Sequence, residues 1–111
     1  VIEEEKFAEN LRTAGVRNSS AEESVATKEA QCKKIIAQAK VKALTIGHKS
    51  NAAQENWADL QENVEHARIS VGVAKGELAA ARTEVLACRM EFDEWRTRMA
   101  SIRKEREVYR T

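Results

Sequence analysis

The chain has 111 residues, of which 33% are charged, 42% hydrophobic and 5% aromatic, with no proline and a formal net charge of +1. This size accommodates one domain, and the near-zero net charge excludes a bulk field that would draw the protein to nucleic acid or membrane. Ordered apolar repeats without proline exclude a disordered chain and favour long helices.

The charge is unevenly spread. Residues 1–24 carry six acids and three bases, residues 25–46 five lysines and one glutamate, residues 47–88 six acids and four bases, and residues 89–111 seven bases and five acids. An acidic start and a basic middle can attract each other, or attract another copy of the chain.

The first helix is predicted over about residues 2–14. Glu3, Glu4 and Glu5 crowd its first turn, where the helix dipole favours negative charge. Phe7, Leu11 and Ala14 form its apolar edge, and Gly15 is a plausible stop. Ser20 followed by Glu23 has the spacing of a capping box, which marks a new start. The second helix then covers about residues 21–46. Val25, Cys32, Ile36, Ala39, Ala43 and Ile46 keep a three-four spacing, Glu29 interrupts it, and Ile35 widens the stripe.

Gly47-His48-Lys49-Ser50-Asn51 reads as a loop. Gly47 can take the left-handed conformation that ends a helix, and Asn51 with Gln54 can cap the next one. The third helix is predicted over about residues 52–110, roughly 90 Å long. Its apolar slots are Trp57, Leu60, Val64, Ala67, Val71, Ala74, Leu78, Ala81, Val85, Cys88, Phe92, Trp95, Met99, Ile102 and Tyr109, with Arg106 the one polar slot. A stripe repeating every 3.5 residues is buried only against another helix.

Gly72 and Gly76 each cost about 1 kcal/mol inside a helix, so they offer an alternative turn. Val71, Ala74 and Leu78 keep the repeat in phase across them, which favours continuity. The fold class is therefore all-α: an antiparallel helical hairpin or coiled coil with one very long C-terminal helix. The alternative is a three-helix bundle with a second turn at the glycines. In the hairpin, facing residues have numbers summing to about 97, so Cys32 and Cys88 are too far apart to bridge. In the bundle they lie side by side. Both cysteines sit on apolar stripes and read as reduced core residues of a cytoplasmic protein.

No apolar run reaches membrane-spanning length, and no signal-peptide pattern is present. The chain opens on Val1 rather than Met, as processing or trimming would leave it. His48 reads as an exposed loop residue and His66 as solvated, and neither has ligand-type neighbours at metal spacing. Gly72-Val73-Ala74-Lys75-Gly76 matches a small-residue membrane motif only in outline, because Lys75 interrupts it. There is no phosphate-binding loop, nucleophile elbow or paired acid–base set, so the chain reads as non-enzymatic, with no cofactor and no metal.

The informative segment is the end of the third helix. Phe92, Trp95, Met99, Ile102 and Tyr109 form a long apolar strip that a hairpin leaves short of cover, and such strips mark interfaces. The expected function is to oligomerise or to dock a protein partner through this helix. If Gly15 is only a kink, the first helix prolongs the second and covers the region near Val85–Met99. Arginines and aromatics alternate here as well, which suits phosphate contact and base stacking. Glu91, Asp93, Glu94, Glu105 and Glu107 oppose that use and can form ion pairs on the helix surface.

The segment Phe92–Arg110, with Trp95, Arg96, Ile102, Arg103, Lys104 and Glu105, resembles the tail of small helical proteins encoded in phage recombination modules. The resemblance covers about twenty residues of common helix-forming types. It implies a mediator-like protein that oligomerises and binds single-stranded nucleic acid. It also implies Arg96, Arg98, Arg103 and Lys104 as phosphate contacts.

Overall fold

The computed structural model describes residues 2–110, apart from the side chain of Arg110. The fold is all-α. Helix α1 spans Glu3–Thr45, α2 spans Asn51–Asp59, and α3 spans Glu62–Arg110. The chain divides into two compact units, one formed by Val1–Ser19 with Ala80–Thr111 and the other by Ser20–Ala79.

The two expected N-terminal helices are a single helix of 43 residues. Gly15 does not stop it, and the capping spacing of Ser20 and Glu23 goes unused. The physical reason is phase. Phe7, Leu11, Ala14, Asn18, Ala21 and Val25 alternate by four and three across the glycine, and all are buried or half-buried. One glycine costs about 1 kcal/mol in a helix interior. Breaking the helix there forfeits the seam on one side of it.

In each unit a stretch of α1 runs antiparallel to its partner. In the unit Ser20–Ala79, Lys40 lies 3.6 Å from Glu55 and Glu29 lies 3.5 Å from Lys75. In the other unit, Arg17 Nη1 donates to Glu84 Oε1 at 2.8 Å, and the Phe7 ring lies 6.2 Å from that of Phe92. Facing pairs on α1 and α3 have numbers summing to about 100, close to the expected register. Glu29, an interruption of the stripe by sequence, is half-buried at its edge and answered there by Lys75.

The buried positions are small. Ala14, Ala39, Ala43, Ala58, Ala67, Ala74 and Ala81 are at most 9% exposed, and Val64 is the largest side chain fully enclosed. Alanine at these slots lets two helix axes approach closely. The larger apolar cluster of the unit Ser20–Ala79 gathers Ile35, Ile36 and Trp57 around Ala39, Ala58 and Val64.

The loop after α1 follows the expected chemistry. Gly47 has φ 115°, in the left-handed region. His48 N–H donates to Ala43 O at 3.0 Å and Gly47 N–H to Leu44 O at 3.2 Å, the paired bonds of a Schellman cap. The next helix starts one residue earlier than the sequence suggests. Ser50 is its cap, accepting from Ala53 N–H at 3.1 Å, while the Gln54 side chain donates to His48 O at 3.0 Å.

The expected helix over 52–110 is broken at Leu60 and Gln61. Leu60 occupies a predicted core slot but is 83% exposed. Leu60 N–H donates to Trp57 O, and Gln61 N–H donates to Ala58 O, so the last turn of α2 tightens and Leu60 turns out of the seam, while Trp57 and Val64 on either side stay in it. Asp59 and Arg68 then meet at 2.6 Å. Nine residues apart on one straight helix, they would lie on opposite sides, so this ion pair belongs to the broken geometry. From Glu62 onward α3 is continuous, and Gly72 and Gly76 lie within it.

Three outcomes follow from this packing. A Cβ added at Gly76 meets nothing within 4 Å, so Gly76→Ala raises stability by about 1 kcal/mol. Gly47→Ala lowers it, because Gly47 holds a positive φ; urea unfolding followed by circular dichroism measures both. Cys32 and Cys88 are free. With the observed register, mild oxidation yields no intrachain bridge, and a monomeric internally linked product on a non-reducing gel would contradict the hairpin.

Candidate interaction surface at the end of α3

Within the unit formed by Val1–Ser19 and Ala80–Thr111, the first turns of α1 meet α3 through a cluster of rings. The Phe7 centroid lies 6.2 Å from Phe92 and 5.8 Å from Trp95, and Phe92 and Trp95 are 6.2 Å apart with planes 13° from parallel. The indole Nε1 of Trp95 donates to Glu3 Oε2 at 2.8 Å. Phe92 and Trp95 are therefore half-buried within the chain, and Phe7 is the covering residue. Two of the five residues expected at an interface thus already have cover. The sequence offered the signal: Phe7 keeps phase with the α1 seam once Gly15 is read through.

Cover thins along α3 after Trp95. Met99 is half-buried, Ile102 is 36% exposed and Tyr109 is 89% exposed. Glu4, Trp95, Arg96, Met99, Ala100 and Arg103 line a shallow groove beside the first turn of α1. A second groove runs over Met90, Asp93, Glu94, Thr97, Arg98 and Ser101.

The four candidate phosphate contacts are placed differently. The Arg96 guanidinium sits 4.3 Å from the centroid of the Phe92 ring, a cation–π contact that commits it to the ring cluster. Arg98 and Arg103 line the separate grooves described above, and Lys104 is exposed. Among the described residues, Arg98, Arg103, Lys104 and Arg106 have no ion-pair partner. Glu91, Asp93, Glu94, Glu105 and Glu107 likewise form no ion pair with a described base, so the expected surface pairing is not realised. By contrast Arg12 hydrogen-bonds Glu9, and that bond, with the attraction between their charges, raises the pKa of the Arg12 guanidinium.

His48 packs at 6.4 Å from the Trp57 ring, and His66 is exposed beside Glu62. Among the described residues no group of three or more histidine, cysteine or acidic side chains could hold a metal ion. No described helix is long and apolar enough to cross a membrane. Comparison with protein-family models, curated proteins and solved structures finds no match.

Removing the covering ring tests the cluster. Phe7→Ala destabilises the protein by about 2 kcal/mol, below the range for a fully buried phenylalanine because the site is half-exposed. Urea unfolding gives the stability change, and tryptophan emission of a Trp57→Phe background shifts to the red as Trp95 loses cover.

Proposed function

We propose that this chain is a non-enzymatic coiled-coil protein that oligomerises or docks a protein partner through the C-terminal part of α3. One observation carries the reading. The seam that α1 covers at Phe92 and Trp95 continues in the same phase through Met99, Ile102 and Tyr109, where exposure rises to 89% at Tyr109. A heptad seam that outruns its covering helix is a surface prepared for another helix. Arg106, in the seam slot between Ile102 and Tyr109, adds a charge that selects among partners at some expense of affinity.

A second reading is favoured by the bases without ion-pair partners. Arg98, Arg103 and Lys104, with Arg96, suit contact with single-stranded nucleic acid, as an accessory protein of a phage-type recombination or replication system would need. The five acids between Glu91 and Glu107 weaken that reading, as does the engagement of Arg96 with Phe92.

Light scattering and binding separate the two. At micromolar concentration the 111-residue chain should have at least the mass of a dimer, or capture a helical partner, and Ile102→Asp should abolish either. A monomeric mass across a tenfold dilution, unchanged by Ile102→Asp and without partner binding, removes the leading reading. The second reading expects an oligonucleotide affinity that falls steeply with salt and is lost on charge reversal at Arg96, Arg98, Arg103 and Lys104.

A further inference from the structure

The covered part of this helix end shows which side chains match it. The acidic first turn of α1, Glu3–Glu5, sits here: Glu3 accepts from Trp95, and Glu4 shares a groove with Arg96 and Arg103. Beyond that turn, Met99, Ile102 and Tyr109 continue the apolar edge. Arg98 and Arg103 flank it, Arg106 stands within it, and none of the three has an ion-pair partner among the described residues.

We propose that the C-terminal seam of α3 takes an amphipathic helix whose apolar stripe is flanked by carboxylates, supplied by a different protein. The inference rests on the docking role proposed above and names the occupant. A second copy of the same segment brings like charges together in the two alignments that cover the whole of the exposed seam. Packed antiparallel with Met99 opposite Tyr109, two copies set Arg103 near Arg103 and Glu105 near Glu105. Packed parallel, they set Arg106 upon Arg106 within the seam. Like charges so placed oppose association, whereas acids on the flanks of a partner answer Arg98, Arg103 and Arg106 at once and meet a like charge only at Glu105. A phosphate backbone answers the arginines but leaves Met99 and Ile102 in water.

Two synthetic peptides of about 21 residues test the idea, a length of three heptads. Both carry Leu at the two seam positions. One has Glu and the other Lys at the flanking positions. Each is labelled with fluorescein and titrated with the 111-residue chain, with anisotropy as the readout. The acidic peptide should bind at least tenfold more tightly, with the ratio falling as salt is raised. Joint replacement Arg98→Glu, Arg103→Glu and Arg106→Glu should reverse the preference. These side chains are exposed, and circular dichroism should show an unchanged helix content. Equal affinity for the two peptides, or binding of neither, overturns the inference.

The two levels of the proposal fail differently. If neither peptide binds but the chain self-associates and Ile102→Asp abolishes this, the docking reading stands and the acidic partner is wrong. If Ile102→Asp changes neither mass nor peptide binding, both are wrong. A single-stranded oligonucleotide that displaces the acidic peptide and is itself lost in the triple variant overturns the inference in favour of nucleic acid.

Discussion

Close approach of two helices over alanine is the constraint on which the rest of this structure depends. A buried methyl group contributes little, about 0.8 kcal/mol per carbon by transfer bookkeeping, so an alanine seam is weak per residue. Its advantage is geometric: small side chains let the backbones lie close over many turns, and dispersion contacts accumulate. The cost is that a small side chain at one level resembles a small side chain at the next, so the seam alone specifies register weakly. Register is supplied instead by its larger and charged neighbours. Arg17 with Glu84, Glu29 with Lys75 and Phe7 with Phe92 each admit one alignment. The ion pairs are exposed and add little stability, so their contribution is to choose among alignments of similar packing energy.

The sequence makes α3 legible because its repeat is long and uninterrupted. From Val64 to Met99 every expected slot is buried or half-buried. The two departures have different origins. At Gly15 the glycine and the Ser20–Glu23 spacing argue for a break, yet the seam from Phe7 to Val25 stays in phase and the helix is continuous. At Leu60 the two signals agree on a continuous helix and both are overridden. No glycine or proline marks Asp59-Leu60-Gln61-Glu62, and the slots Trp57, Leu60 and Val64 are in phase, yet the helix breaks. There the deciding contacts are long-range: Trp57 and Ala58 pack with Ile35, Ile36 and Ala39 of α1 and with Val64 at the start of α3 in one cluster. A weak local preference yields to tertiary packing, which is the usual limit of propensity arguments.

The surface at the end of α3 was legible in outline for a related reason. The count of apolar slots showed that the strip from Phe92 to Tyr109 outruns its cover. What the count does not show is where cover stops, because that depends on whether α1 is one helix or two. With α1 continuous, Phe7 reaches Phe92 and Trp95, and exposure is concentrated at Ile102 and Tyr109. The placement of Arg96 was likewise beyond the sequence. Four residues after Phe92 on a helix it can fold back over the ring, but solvent and a phosphate are equal alternatives until the ring is seen half-buried beside it.

Charge therefore changes its job along α3. Lys75 and Glu84 flank the seam and face acids or bases on α1, so the hairpin itself accounts for them. Arg96 is spent on an aromatic face. After it, Arg98, Arg103 and Arg106 surround an apolar edge and form no ion pair among the described residues, although Glu94 stands within about a turn of Arg98, and Glu105 and Glu107 within about a turn of Arg103 and Arg106. Side chains that decline nearby ion pairs in water lose little, since such pairs are worth only a few tenths of a kcal/mol. Buried beneath a partner helix, the same guanidinium groups would each require a carboxylate, and a mismatch there costs far more than it does in solvent. On the docking proposal, the arrangement is nearly neutral while the seam is bare and would become selective once a partner helix covered it, discriminating between helices of similar hydrophobicity.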